Sequence, residues 1–420
     1  MVAQVNASPF TSDSPRNGSR IAAAPCLAFV LCLLASTVGA AQLTVLPDKL
    51  ELTGQDPSHG VVVSFIDGNG EVLDVTHRVS FEVDEPELAS VDKDGRVTAL
   101  SDGNAVLSVK LDAWSATVPI AVTASAEKGV PSFKQDVLPI LTRSGCNTGA
   151  CHGKLSGQNG FRLSLRGYAP QWDHEWITQE VSGRRIDLGF PDQSLLLAKP
   201  SGGVVHEGGV RFRPGSRMWQ TLNDWVAARA PAPIADEPDA VRLEVLPGGR
   251  ALTPGQSQQL LVRAHYADGR VRDVTWLAQF FSNDPVTVSV NASGLVKALG
   301  NGEAGVRVHF QGLVEVVSFT MPFSYEIDPE VYNAQQNVID GPLFEKLKQL
   351  RLPPVGPCSD ETFLRRAYLD AAGILPTPAE VIAFQSDKNP DKRARMIDAL
   401  LQRPEFTDYW TLQLADLLQN

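Results

Sequence analysis

Residues 89–105 read ASVDKDGRVTALSDGNA, and residues 288–304 read VSVNASGLVKALGNGEA. The two stretches align at a constant offset of 199, with Gly95 on Gly294, Ala99-Leu100 on Ala298-Leu299 and Gly103 on Gly302. Further out, Asp74-Val75-Thr76 recurs as Asp273-Val274-Thr275 at the same offset, and Leu43 to Pro47 returns as Leu243 to Pro247 after a one-residue slip. Each copy is a set of short alternating runs, such as Ala105 to Val109, separated by turn signals such as Asp67-Gly68-Asn69-Gly70 and Asp268-Gly269. Period-two alternation buries one side of each strand, so each copy is expected to form a β-sandwich. An offset far longer than the repeat means that two copies flank an insert and do not stack as a solenoid.

Length and composition narrow the options. A chain of 420 residues with 43% hydrophobic and 20% charged residues is a multidomain globular protein and not a disordered tail or a fibre. Its formal charge of -11 argues against a surface that grips phosphate backbones, so nucleic acid is not an expected partner. At the N-terminus, Arg16 and Arg20 precede an apolar run from Ile21 to Ala35, and Val38-Gly39-Ala40 supplies small residues for cleavage. Residues 1–40 are therefore expected to be a signal peptide, which makes the protein exported, periplasmic or at the cell surface. As a helix the run would reach about 22 Å, short of a bilayer core of about 30 Å, so membrane attachment follows only if the segment stays uncleaved. Losing Cys26 and Cys32 with it leaves Cys146, Cys151 and Cys358, too few for a disulfide framework.

The repeated pattern, a DVT strand start, Ser90-Val91 or Ser289-Val290, then Gly95-x-Val97-x-Ala99-Leu100 or Gly294-x-Val296-x-Ala298-Leu299, resembles the bacterial immunoglobulin-like domain of group 2. The resemblance implies such domains over residues 41–125 and 240–325, with a glycan or a protein as their ligand. Asp67, Asn69, Asp92 and Asp94 have the residue types of a calcium loop but no glutamate at its twelfth position, so hairpin turns are the expected reading.

The insert carries the candidate chemistry. It reads FKQDVLPILTRSGCNTGACHGK from Phe133, and Phe133, Val137, Ile140 and Leu141 are spaced for one face of a helix that delivers Cys146. Cys146, Cys151 and His152 form Cys-x4-Cys-His, two thiols and an imidazole of the kind that bind haem c covalently and ligate its iron; the usual spacing is two residues shorter. A Cys146–Cys151 disulfide and a zinc site are the competing readings. For a distal ligand the insert offers His206, in the loop Val204 to Gly209, ahead of Met218 and His174. Met218 shares a helical packing face with Leu222, Trp225 and Val226. His174 sits beside Asp173, Glu175 and two tryptophans on what reads as a helix surface.

Over residues 130–231 the insert resembles the planctomycete-type cytochrome c domain, through the attachment motif, Gly160 to Gly167, Pro191 to Leu196, Lys199-Pro200, the His206-Glu207-Gly208-Gly209 loop and the helix ending in Trp225. The resemblance implies a small, mainly α domain holding haem c on Cys146, Cys151 and His152.

From residue 335 the pattern turns helical. Ser359 is placed to cap a helix bearing Phe363, Leu364, Ala367 and Tyr368, and Pro378 and Pro390 punctuate two more. Through Asp360-x-Thr362-Phe363-Leu364-Arg365-Arg366, Gly373-x-Leu375-Pro376-Thr377-Pro378 and Trp410-x5-Asp416, residues 335–420 resemble the N-terminal part of the domain of unknown function 1549. Members of that family run past this point, so the chain reads as a fragment. Arg365, Asp370 and Asp416 fit solvated helix charges.

The fold expected is thus multidomain: two all-β immunoglobulin-like sandwiches flanking a small mainly α cytochrome c-like domain, then an α-helical domain. No nucleophile elbow, phosphate loop or His-Glu-x-x-His points to an enzyme, and Cys358 lacks a partner histidine. The first functional expectation is an exported haem protein that transfers single electrons with an unidentified redox partner. The second is a redox-silent surface adhesion or interaction protein with a Cys146–Cys151 disulfide. A fragment of a larger haem-coupled enzyme is the third.

Overall fold

The computed structural model describes residues 41–127, 129–335 and 337–419. The segment expected to direct export, with Cys26 and Cys32, lies outside the described residues. Residues 42–123 fold into two facing sheets and a small third one. One orders its strands Gln42–Leu46, Val62–Ile66, Val72–Asp74; the other orders Leu50–Thr53, Trp114–Thr123, Gly103–Leu111, Ser80–Val83. Leu50–Thr53 runs parallel to its neighbour and the remaining pairs are antiparallel. Residues 240–321 repeat this order strand for strand, down to the parallel pairing of Arg250–Ala251 on the last strand, Leu313–Met321.

Alternation explains the burial. Ala105, Leu107 and Val109 face one core while Ala304, Val306, Val308 and Phe310 face the other. Gly95 and Gly294 turn at φ +79° and +82°, where a Cβ would strike the Phe81 or Phe280 ring at 2.8 and 2.9 Å. Asp67 and Asp92, candidates for a calcium loop, each accept two backbone N–H bonds within their own hairpin.

The DVT motif proves to be a fastener. In each copy the aspartate accepts bonds from the threonine N–H and hydroxyl, and the threonine oxygen accepts from Val63 or Val262 on the neighbouring strand. The second carboxylate oxygen crosses to the other sandwich. Asp273 Oδ2 accepts from Gly60 N at 2.8 Å, and Asp74 Oδ2 accepts from Gln259 N, the repeat-equivalent of Gly60. The two copies therefore meet by a reciprocal, pseudo-twofold exchange of the same contact, as an isologous dimer does.

Between the sandwiches, residues 129–239 form α1 (Leu138–Arg143), which continues a π-helical turn at Phe133–Val137, then α2 (Pro170–Thr178), α3 (Leu195–Ala198) and α4 (Arg217–Ala227). Phe133, Ile140, Leu222, Trp225 and Val226 are buried as their spacing required, and their core is continuous with that of the second sandwich. The first sandwich keeps a separate core. The cytochrome c-like α fold expected here is not evident, because two of the four helices have six residues or fewer and long irregular turns make up much of the insert.

A polar knot closes the junction. Arg272 of the second sandwich bonds Asp56 of the first and, at 2.8 Å, Asp136 of the insert. Burial alone would lower the Arg272 pKa; the two carboxylates outweigh it and keep the guanidinium charged.

After Met321 the chain becomes helical: α5 (Asp340–Leu350), α6 (Asp360–Ala372), α7 (Pro378–Ser386), α8 (Lys392–Leu401) and α9 (Pro404–Leu418). Ser359 caps α6, and Thr377 with Glu380 forms a reciprocal capping box on α7. Their small core is Leu364, Tyr368, Phe384 and Leu400. Arg365, Asp370 and Asp416 are exposed, and Cys358 gives its carbonyl to Arg393 at 2.7 Å.

Asp273 supplies a pH prediction. It is half-buried, and desolvation alone would raise its pKa; the charge of His59 and the bonds from Thr275 and Gly60 outweigh that and hold it below the usual carboxylate range. A depressed carboxyl adds stability above its unfolded pKa of about 3.9 and loses it as pH falls through the folded value. Urea unfolding should therefore weaken below about pH 4, and Asp273→Asn should flatten that part of the profile. An unchanged acid limb in the variant would refute the assignment.

Candidate functional site

The sequence candidates converge on one cleft of about 750 Å³ in the insert, lined by Cys146, Cys151, His152, Phe161, His206 and Arg211 among others. α1 ends at Arg143, and Cys146 N–H bonds Leu141 O at 2.8 Å, so the helix hands the chain directly to the first cysteine. The loop then folds back: His152 N–H donates to Cys146 O at 2.9 Å, and Arg166 N–H holds the carbonyl of buried Asn147 at 3.1 Å. Gly153 permits the turn, since a Cβ there would lie 2.1 Å from Asn147 O.

Both thiols are free. Burial pushes Cys146 up to about 11, with Arg211 opposing and Cys151 adding to the shift. Neither sulfur has an imidazole as hydrogen-bond partner among the described residues; Cys151 Sγ is instead met by an Arg211 guanidinium nitrogen at 3.6 Å.

His152 and His206 face each other with ring centroids 6.4 Å apart and planes within 4°. His152 Nδ1 lies 3.0 Å from Phe161 O, and His206 Nδ1 lies 3.0 Å from Gly209 O. Gly208 makes room for the second ring, because a Cβ there would come 2.8 Å from it. Burial lowers the His152 pKa first, the Phe161 carbonyl opposes, and His206, Arg185 and Lys199 add to the lowering. The cleft is thus an imidazole pair and two thiols under a cationic rim, suited to holding a ligand.

Met218 stays out of this group. Its sulfur meets Ser144 Oγ at 3.9 Å and its side chain packs on the core. His174 is not on a helix surface: it is buried, with Nε2 2.9 Å from Ala230 O, and Asp173 beside it is buried on the Ser164 hydroxyl. Arg185 had no sequence signal. It spans Gly160 O and Trp176 O and lies 4.5 Å from the Phe161 ring centre, fixing the loop behind His152.

Residues 338–420 match the PSCyt2 family model, described as a protein of unknown function (DUF1549). An S-layer-related protein of Niallia circulans is 35% identical over 79 residues, which are 19% of this chain and 5% of that protein. Among solved structures, the S-layer protein SbsC, domains 5-6, aligns at 13% identity with a TM-score of 0.27, covering 67% of this chain and 98% of that one. Domains 1-6 of the surface layer protein SbsC align at 14% identity and TM-score 0.18, covering 68% and 28%.

These findings correct the first functional expectation. The curated relative is an S-layer-related protein, and among the described residues no group of three or more His, Cys, Asp and Glu side chains is arranged to hold a metal ion. An exported cytochrome carrying single electrons on haem iron is accordingly withdrawn, and the surface-interaction reading is the better supported.

Proposed function

We propose that this chain is an exported surface-interaction protein, in which two bacterial immunoglobulin-like group 2 sandwiches brace a cleft-bearing insert and present it outside the cytoplasm. The observation that carries the reading is the reciprocal Asp74 and Asp273 exchange, reinforced by the Arg272 knot. Two sandwiches joined this way hold their outer faces free for contacts, which an adhesion or surface-array protein needs. The likeness to an S-layer-related protein supports the same placement. No helix of the described residues is long and apolar enough to cross a membrane. In this reading Cys146 and Cys151, which both line the cleft, are oxidised to a disulfide after export, passing two electrons and two protons to a disulfide-bearing thiol oxidant of the oxidising compartment, and His152 and His206 form the cleft's ligand-facing pair.

Surface labelling tests the placement. With a membrane-impermeant amine reagent on intact cells, the full chain should be modified to the extent of a known surface protein. Recovery of unlabelled chain together with cytoplasmic markers would refute the proposal.

A further inference from the structure

A second surface of the insert, away from the cleft, has the chemistry of a binding track. On α2 and the turn before it, Tyr168 is 72% exposed and Trp172 is 52% exposed. Trp176 follows one turn later, and the ring centroids are spaced 6.4 and 6.1 Å along the row. Arg162 stacks 4.4 Å over the Trp176 ring and fixes the far end. Three large aromatics in a row, two of them left mostly in water, are not explained by packing, because the buried side of the same helix is already filled by Asp173, His174 and Ile177.

The row leads into a groove. Tyr168, Pro170 and Gln171 also line a cavity of about 800 Å³ between the insert and the second sandwich, whose opposite wall includes His309 and Leu313. His309 Nε2 is buried there without a hydrogen-bond partner. Gln171 and Glu175 stand exposed beside Trp172 on the same helix, so flat apolar faces alternate with hydrogen-bonding groups.

The charges select the occupant. α2 contains no Lys or Arg; of the groove's lysine and arginine side chains, Lys134 is paired with Asp239 at 2.7 Å and Arg166 stands exposed on the wall, a single positive charge where a polyanion would need several. With a net charge of -11, the chain repels anionic polymers and offers this helix no basic face toward an anionic lipid surface. A protein interface centre would be depleted of charged groups such as Glu175. An uncharged chain with apolar ring faces and a hydroxyl rim matches both halves of the surface.

We propose that the Tyr168, Trp172, Trp176 row and the adjoining groove bind a neutral polysaccharide. This rests on the surface-interaction reading and names its ligand class. The test uses the full exported chain with cellohexaose, xylohexaose, mannohexaose and chitohexaose, followed by calorimetry and tryptophan fluorescence. At least one hexasaccharide should bind. Trp172→Ala and Tyr168→Ala should each weaken it at least tenfold, Trp172→Phe should retain most of it, and Trp114→Ala on the first sandwich should leave it unchanged. Failure of all four sugars at millimolar concentration, or binding indifferent to Trp172→Ala, would overturn the proposal, as would row-dependent binding to phosphatidylglycerol vesicles instead. A chain that is labelled on intact cells but binds no sugar would sink this inference and leave the surface placement standing.

Discussion

Arg272→Met should lower the unfolding free energy by about 3–5 kcal/mol, the cost of removing one partner from a largely buried ion group. Asp56 and Asp136 belong to different units; Asp136 loses the arginine it pairs with, and Asp56 keeps only the longer contact to Arg270 at 3.9 Å. The loss should appear as decoupling as well as destabilisation: the first sandwich, whose hydrophobic core is its own, should melt apart from the rest. Denaturant unfolding followed by tryptophan fluorescence and by circular dichroism would show two non-coincident transitions where the parent shows better agreement. A cycle with Asp56→Asn should give a coupling energy above about 1 kcal/mol. Coincident curves and a loss below about 1 kcal/mol would mean that the knot does not join the units.

Trp225→Ala should cost about 3–5 kcal/mol through the cavity it leaves. Trp225 is fully buried, packs against Phe133 at 5.5 Å and His174 at 6.0 Å between ring centres, and donates its indole N–H to Pro231 O at 3.1 Å. Trp225→Phe should recover most of the packing and leave a deficit of about 1 kcal/mol from the unpartnered carbonyl. Because the insert and the second sandwich share one core, amide exchange should quicken in strands Gly302–Phe310 and Leu313–Met321 as well as in α4. Protection lost in α4 alone would show that the two units are stabilised separately.

How much of this was legible in the sequence differs by region. The β character of the repeats follows from alternation and turn chemistry, which act over a few residues, and Ala105, Leu107 and Val109 are buried as expected. The helical character after Met321 was equally local, since Ser359 and Thr377 are caps that need no tertiary partner. The cross-sandwich half of the DVT aspartates was not legible, because Asp273 and Gly60 stand 213 residues apart and nothing in either segment names the other. The cleft was half legible. Cys146, Cys151, His152 and His206 do meet, while Arg185 and Phe161, which hold the loop, were given no role in the reading of the residues. The step from a short Cys-x4-Cys-His motif to electron transfer failed because such a motif fixes a few side chains and says little about the function around them.

Mass spectrometry of the peptide carrying Cys146 and Cys151, isolated without reduction from the cells that export the protein, tests the account most directly. The expected result is a mass two hydrogens below the dithiol form, alkylation of both cysteines only after reduction, and no visible absorbance. A peptide bearing a tetrapyrrole on its sulfurs, with the matching absorption band, would contradict the redox-silent surface role and return the cleft to electron-transfer chemistry.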